Sequence, residues 1–183
     1  NKISLQYPLV EILTSFLWYW GGTNLIFSDA ILFILLTNIL IVISFIDYRT
    51  MEINLNLIFL SLIILFIYGI IITQNINNML FGALVGFGYL GLIFLLTSLI
   101  FKKETMGLGD LQLIIVLGAW IGPGNILASI FLASLIGIIF WLLINFIYEY
   151  DSNMPLPFAP FLSLSAIIIY MMKINIFNYL IGF

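Results

Sequence analysis

The chain has no cysteine and no histidine. The first absence excludes a disulfide framework and thiolate metal ligation, and together they remove the usual zinc ligands. Any hydrolytic chemistry must then rest on carboxylates, hydroxyls or another uncommon group. Charge is nearly as scarce, at 7% of 183 residues, with five Lys and Arg against eight Asp and Glu and a net charge of −3. Nucleic acid is excluded as a partner, because phosphate backbones are gripped by clustered basic side chains. A soluble domain keeps about a quarter of its residues charged. With 64% hydrophobic residues and a mean hydropathy of +1.27, this chain belongs in a lipid bilayer.

What is present is a series of apolar runs, at roughly 8–20, 26–46, 55–73, 79–101, 110–121, 126–148 and 159–180. A membrane-spanning helix needs about 20 residues. The first and fifth runs are short by that measure, so the fifth either lies in a sheltered or thinned part of the bundle or continues through Pro123 as a kinked helix. The runs are separated by turn-forming stretches such as Gly21-Gly22-Thr23-Asn24 and Gly122-Pro123-Gly124-Asn125. The expected fold is all-α, a polytopic transmembrane bundle of about seven helical segments forming one membrane-embedded domain over residues 1–183. No internal repeat, low-complexity tract or cleavable signal peptide is read in it. Gly82-x-x-x-Gly86 and Gly118-x-x-x-Gly122 have the spacing for close helix approach. Trp18, Tyr19 and Trp20 read as an interfacial aromatic belt, and Trp120 and Trp141 as packing or interface residues.

Alternating seven spans puts Lys2, Arg49, Lys102 and Lys103 on one side and Lys173 towards the other. That bias marks the first side as cytoplasmic. The loops bearing Asp47, Gly107–Asp110 and Glu149–Pro157 share it.

Two acids break the apolar pattern: Asp47 at the end of the second run, and Asp110 after Gly107-Leu108-Gly109 at the start of the fifth. Ionisable groups at membrane depth or its edge are costly, and each is a functional-site candidate. Asp110 is expected near a helix N-terminus, where free N–H groups and the dipole favour negative charge. Asp47 ends a helix, where the dipole opposes it and Arg49 is close enough in sequence to compensate. Two carboxylates a few ångströms apart share one proton, so that one can take a proton from water while the other protonates a scissile amide. Gly107 and Gly109 are read as permitting a backbone turn and the close approach of a substrate strand. The plainer alternatives are a helix cap for Asp110 and a solvated loop pair with Arg49 for Asp47. Glu11 is read as a helix or interface contact, or as support for the dyad.

Phe45-Ile46-Asp47-Tyr48-Arg49-Thr50-Met51-Glu52-Ile53, Gly107-Leu108-Gly109-Asp110-Leu111-Gln112-Leu113 and Pro157-Phe158-Ala159-Pro160-Phe161-Leu162, in that order and with this apolar spacing, resemble the type IV prepilin peptidases, polytopic GxGD aspartic proteases. The opening Ile3-Ser4-Leu5-Gln6-Tyr7-Pro8-Leu9-Val10-Glu11 is similar to the stretch that, in bifunctional members, follows a cysteine-containing zinc segment. The resemblance implies an aspartic endopeptidase of the bacterial inner membrane that removes the basic leader from type IV prepilins or type II secretion pseudopilins at the cytoplasmic face. It makes Asp47 and Asp110 the catalytic pair, with Gly107 and Gly109 in support. It implies no cofactor for this chain; S-adenosylmethionine and zinc belong to N-methylation of the mature pilin, an expectation only where the preceding segment is present.

Three positions depart from the family pattern: Asn54 follows Ile53 where Pro is usual, Gln112 stands where Lys is common, and Ala159 replaces Gly between two prolines. None removes a carboxylate, so they bear on substrate preference or rate. Acidic loop residues Glu52, Glu104, Glu149 and Asp151 are candidates to attract the basic leader. The competing readings are a non-catalytic membrane protein, a transporter or pseudopeptidase, whose aspartates bind ions or substrate, and a presenilin-like GxGD protease, for which no Pro-Ala-Leu stands near the C-terminus.

Overall fold

The computed structural model describes residues 6–102, 106–148 and 156–172. Lys2, Lys103, Glu104, Glu149, Asp151 and Lys173 lie outside the described residues. Among the described residues, seven α-helices run α1 (Gln6–Asn24), α2 (Phe27–Thr50), α3 (Leu55–Tyr68), α4 (Ile76–Phe101), α5 (Leu108–Ile121), α6 (Pro123–Tyr148) and α7 (Ala159–Met172), with a π-helical turn, Gly69–Thr73, extending α3. The chain is therefore all-helical, as its apolar runs require. In a medium without water every backbone N–H and C=O must be satisfied within the segment, and a helix does that.

Local chemistry sets the ends of these helices. Met51 closes α2 in the left-handed region at φ 56°, its N–H donating to the carbonyl of Asp47. Asn54 opens α3, its side chain accepting from the N–H of Asn56 at 2.9 Å. The departure from the family pattern at Asn54 is thus a helix cap, which replaces the fixed φ of proline with a hydrogen bond. Asn75 caps α4 in the same way, towards Asn78. Between α5 and α6, Gly122 adopts φ 86° and ψ 171°, a conformation open in practice only to glycine. The chain breaks there and restarts at Pro123 instead of continuing as one kinked helix.

Among the described residues, four segments are long and apolar enough to cross a membrane: Phe27–Thr50, Leu55–Thr73, Ile76–Phe101 and Pro123–Phe146. The 14 residues of α5 reach only about 21 Å at 1.5 Å per residue, short of a hydrocarbon core of about 30 Å. The sheltered alternative holds for α5. Leu113, Ile114, Val116 and Leu117 are almost wholly buried, and the helix packs against α3, α4, α6 and α7. The longer helices expose much more apolar surface, including Phe59, Phe66, Leu99 and Phe131. The bundle therefore has a short protein-covered centre and long lipid-facing walls.

The glycine pairs act where α4 and α5 meet, the most extensively packed pair of helices. A Cβ on Gly82 would lie 2.1 Å from the carbonyl oxygen of Gly118, and one on Gly118 would lie 2.3 Å from that of Gly82. Only hydrogen fits at either position. Trp18 and Tyr19 are exposed, in keeping with a belt. Trp20 instead turns inward, 5.1 Å from the ring of Phe33, because α1 lays this face on α2. Phe33 and Trp120 both lie against Tyr170, with centroid distances of 5.4 Å and 4.8 Å.

Candidate functional site

The ends of α2 and the starts of α3, α5 and α7 meet at one end of the bundle. They enclose a cavity of about 430 Å³ whose lining includes Asp47, Glu52, Ile53, Gly107, Asp110, Gln112 and Phe158. Asp47 is 6% exposed and Asp110 8% exposed. Their carboxyls are close enough to interact electrostatically. Two acids separated in the sequence by the whole of α3 and α4 thus face one volume.

Each carboxyl is held by a backbone N–H at the start of a helix. The N–H of Ala159, the first residue of α7, donates to Asp47 Oδ2 at 3.2 Å. The N–H of Gly107, which caps α5, is directed at the carboxyl of Asp110. Asp110 is the third residue of α5, so its side chain reaches back over the first turn as the acid of a capping box does. Free N–H groups at helix starts stabilise negative charge through hydrogen bonding and the dipole.

This geometry corrects two expectations. Arg49 is not the group that compensates Asp47, since its guanidinium donates to the side chain of Gln6. Burial turns Asp47 inward, away from the solvated side of α2, and the start of α7 supplies the compensation. Nor do Gly107 and Gly109 serve a glycine-only turn. Gly107 has an ordinary extended conformation, φ −69° and ψ 139°, and Gly122 is the only glycine at positive φ among the described residues. Gly109 makes room instead: a Cβ there would stand 2.9 Å from Cβ of Ile53. The loop after α2 can therefore close onto the start of α5.

Of the plainer readings of the aspartates, the solvated loop pair fails, since Asp47 is buried. The cap survives in altered form: Gly107 holds the capping position of α5, and Asp110 takes the place of the capping-box acid while also lining the cavity. Glu11 is exposed on α1 and does not line the cavity. Glu52 and Gln112 do line it. Sequence reasoning missed the roles of Ile53 and the Ala159 N–H. A backbone donor has no side-chain signature, although the Pro157–Pro160 motif marks the place.

Residues 33–142 match the type IV leader peptidase family. The chain belongs to that family. The matched span holds both aspartates, most of α2 and all of α5. Among curated relatives, the prepilin leader peptidase/N-methyltransferase of Pseudomonas aeruginosa is 34% identical over 173 residues, covering 90% of this chain and 57% of the relative. Proteins of the same name from Neisseria gonorrhoeae, 36% identical over 148 residues with coverage of 76% and 49%, and Aeromonas salmonicida, 30% identical over 169 residues with coverage of 90% and 57%, are also similar. The chain spans between half and two thirds of the length of most such relatives. No solved structure matches it. Membership of the leader peptidase family, with several long apolar helices, makes this a multi-pass membrane protein and does not favour the transporter reading.

Proposed function

We propose that Asp47 and Asp110 are the catalytic dyad of an aspartic endopeptidase that removes the leader from type IV prepilins or type II secretion pseudopilins. The observation that carries this reading is the convergence of two buried carboxyls on one cavity, each held by a backbone N–H. Such a pair holds one proton between its two members. A water between them gives a proton to the carboxylate as its oxygen adds to the scissile carbonyl carbon. The neighbouring carboxylic acid protonates the amide. The tetrahedral intermediate, which carries one hydroxyl, one oxyanion and the protonated nitrogen, then collapses: the oxyanion re-forms the carbonyl, the C–N bond breaks, and the amine leaves with its added proton. The dyad ends as it began, with one proton.

Arg49 in the last turn of α2 and Lys102 just after α4 lie at the end of the bundle that carries the cavity, which supports a cytoplasmic site in a bacterial inner membrane. Glu52 on the cavity wall supports recognition of a basic leader by charge. Zinc does not fit this chain: it has no Cys or His, and among the described residues no three Asp or Glu gather as ligands. We therefore assign N-methylation, with zinc and S-adenosylmethionine, to no residue here.

The test is cleavage of a prepilin in membranes by the unsubstituted protein and by Asp47→Asn and Asp110→Asn at matched expression, read by mass spectrometry of the new N-terminus. Cleavage by the parent and loss in both variants is the expected result. Cleavage surviving either substitution removes that aspartate from the mechanism. Glu52→Lys should weaken cleavage more at low salt than at high salt, and a salt-independent effect would remove charge steering.

A further inference from the structure

Among the described residues, the catalytic cavity is lined by the carboxyls of Asp47, Glu52 and Asp110 and by one neutral polar side chain, the amide of Gln112. Gln112 is half-buried, and among the described residues its side chain makes no hydrogen bond. An amide carries both donors and an acceptor. This one is left to meet what enters the cavity.

Its place on α5 fixes what it can reach. Successive residues of a helix stand about 100° apart, so Asp110 and Gln112 leave α5 on nearly opposite sides. Gly109 lies between them on one side and Leu111 on the other. Gly109 lines the cavity and Leu111 does not. The cavity therefore wraps over the first turn of α5 by way of Gly109 and of Ile53, which lies against it. A peptide extended from the dyad to Gln112 crosses about 10 Å, the width of a helix with its side chains, or about three residues at 3.3 Å each. Two residues further along α5, Gln112 is also about 3 Å deeper in the bundle than Asp110. It stands on the side of the dyad towards the bilayer interior.

We propose that Gln112 is a substrate-binding residue, whose side-chain carbonyl accepts a backbone N–H about three residues beyond the scissile bond, on the side of the substrate that enters the membrane. This deepens the peptidase reading and rests on it. A chain passing from water into lipid can leave no backbone N–H unpaired. A helix satisfies its own except for the first four, which need an acceptor from outside. Gln112 stands where those groups pass. A carboxylate at this position would accept too, but it would set another negative charge beside a pair that works by sharing one proton. A neutral amide accepts without disturbing that proton.

The test is a cycle of substitutions in enzyme and substrate. Gln112→Met keeps the length of the side chain and removes its hydrogen-bonding groups. Synthetic prepilin peptides carry a single backbone ester in place of an amide at two, three or four residues beyond the scissile bond, which deletes one N–H. Cleavage in detergent is read by mass spectrometry of the products. Gln112→Met should lower kcat/KM roughly fivefold on the all-amide peptide, the size of one net hydrogen bond, mainly through KM and with the pH profile unchanged. One ester should cost the parent about as much, and cost Gln112→Met nothing further. Losses that multiply at every ester position overturn the contact, as does full activity of Gln112→Met on the all-amide peptide. The esters also test the parent by itself, so that no sensitive position in that range overturns the proposal even where Gln112→Met folds poorly. If the parent cleaves no prepilin, the peptidase reading falls and takes this contact with it. Cleavage with multiplying losses removes the role of Gln112 alone.

Discussion

The two ends of this bundle each hold carboxyl groups, half-buried at one end and buried at the other, and they treat them differently. At the far end, Asp29 in the first turn of α2 accepts a hydrogen bond from the phenol of Tyr68 on α3. Below it lie the tilted and stacked rings of Trp20, Phe33, Trp120 and Tyr170. At the near end, Asp47 and Asp110 receive backbone N–H groups and otherwise face a cavity and each other. A carboxyl closed by a side-chain donor fastens two helices together. A pair of carboxyls left facing open volume can exchange protons with what enters it. The ends are distinguished by what each carboxyl faces: a fixed phenol at one, an open cavity and a second acid at the other.

The sharpest way to break this comparison is to neutralise one acid at each end. Asp110→Asn should lower the cleavage rate by roughly 10²–10⁴-fold, the usual contribution of a positioned acid or base, while Asp29→Asn stays within about twofold of the parent. A large loss from Asp29→Asn would show the two ends to be coupled. Ala159→Pro comes next. Proline is tolerated in the first turn of a helix because its missing N–H has no intrahelical partner there. It would remove the donor to Asp47, and a hydrogen bond to a charged group is worth about 1.5–3 kcal/mol. The turnover rate should fall roughly 10–100-fold with the protein still folded, as judged by its thermal transition in detergent.

Gly109→Ala tests the closure of the near end at smaller cost. The added Cβ presses on Ile53, a β-branched side chain with little freedom to move aside. Overpacking of this kind typically costs about 1–3 kcal/mol. A rate loss of about tenfold is expected, relieved by the double substitution Gly109→Ala with Ile53→Ala; no relief would place the strain elsewhere. The mildest effect belongs to Tyr68→Phe. It deletes the donor to Asp29 and should lower stability by about 1–2 kcal/mol, measured by unfolding in denaturing detergent, with the cleavage rate unchanged.

The sequence by itself determined the medium, the fold class and the pair of candidate acids. With charge so sparse and apolar runs so long, few structures other than a membrane helix bundle satisfy the backbone, so composition alone was enough. The glycine spacing also announced the α4–α5 contact, because small residues four apart leave a smooth helix face. Tertiary structure decided the rest. The short run opened by Asp110 became the covered centre of the bundle, which depends on which helices surround it. Arg49 went to Gln6 and Trp20 to Phe33, since side chains answer to neighbours in space rather than in sequence. The donor to Asp47 comes from a backbone N–H 112 positions away, a group that every residue but proline carries and that has no side-chain signature of its own. Residue types fixed which groups were available for chemistry; only packing decided which of them meet.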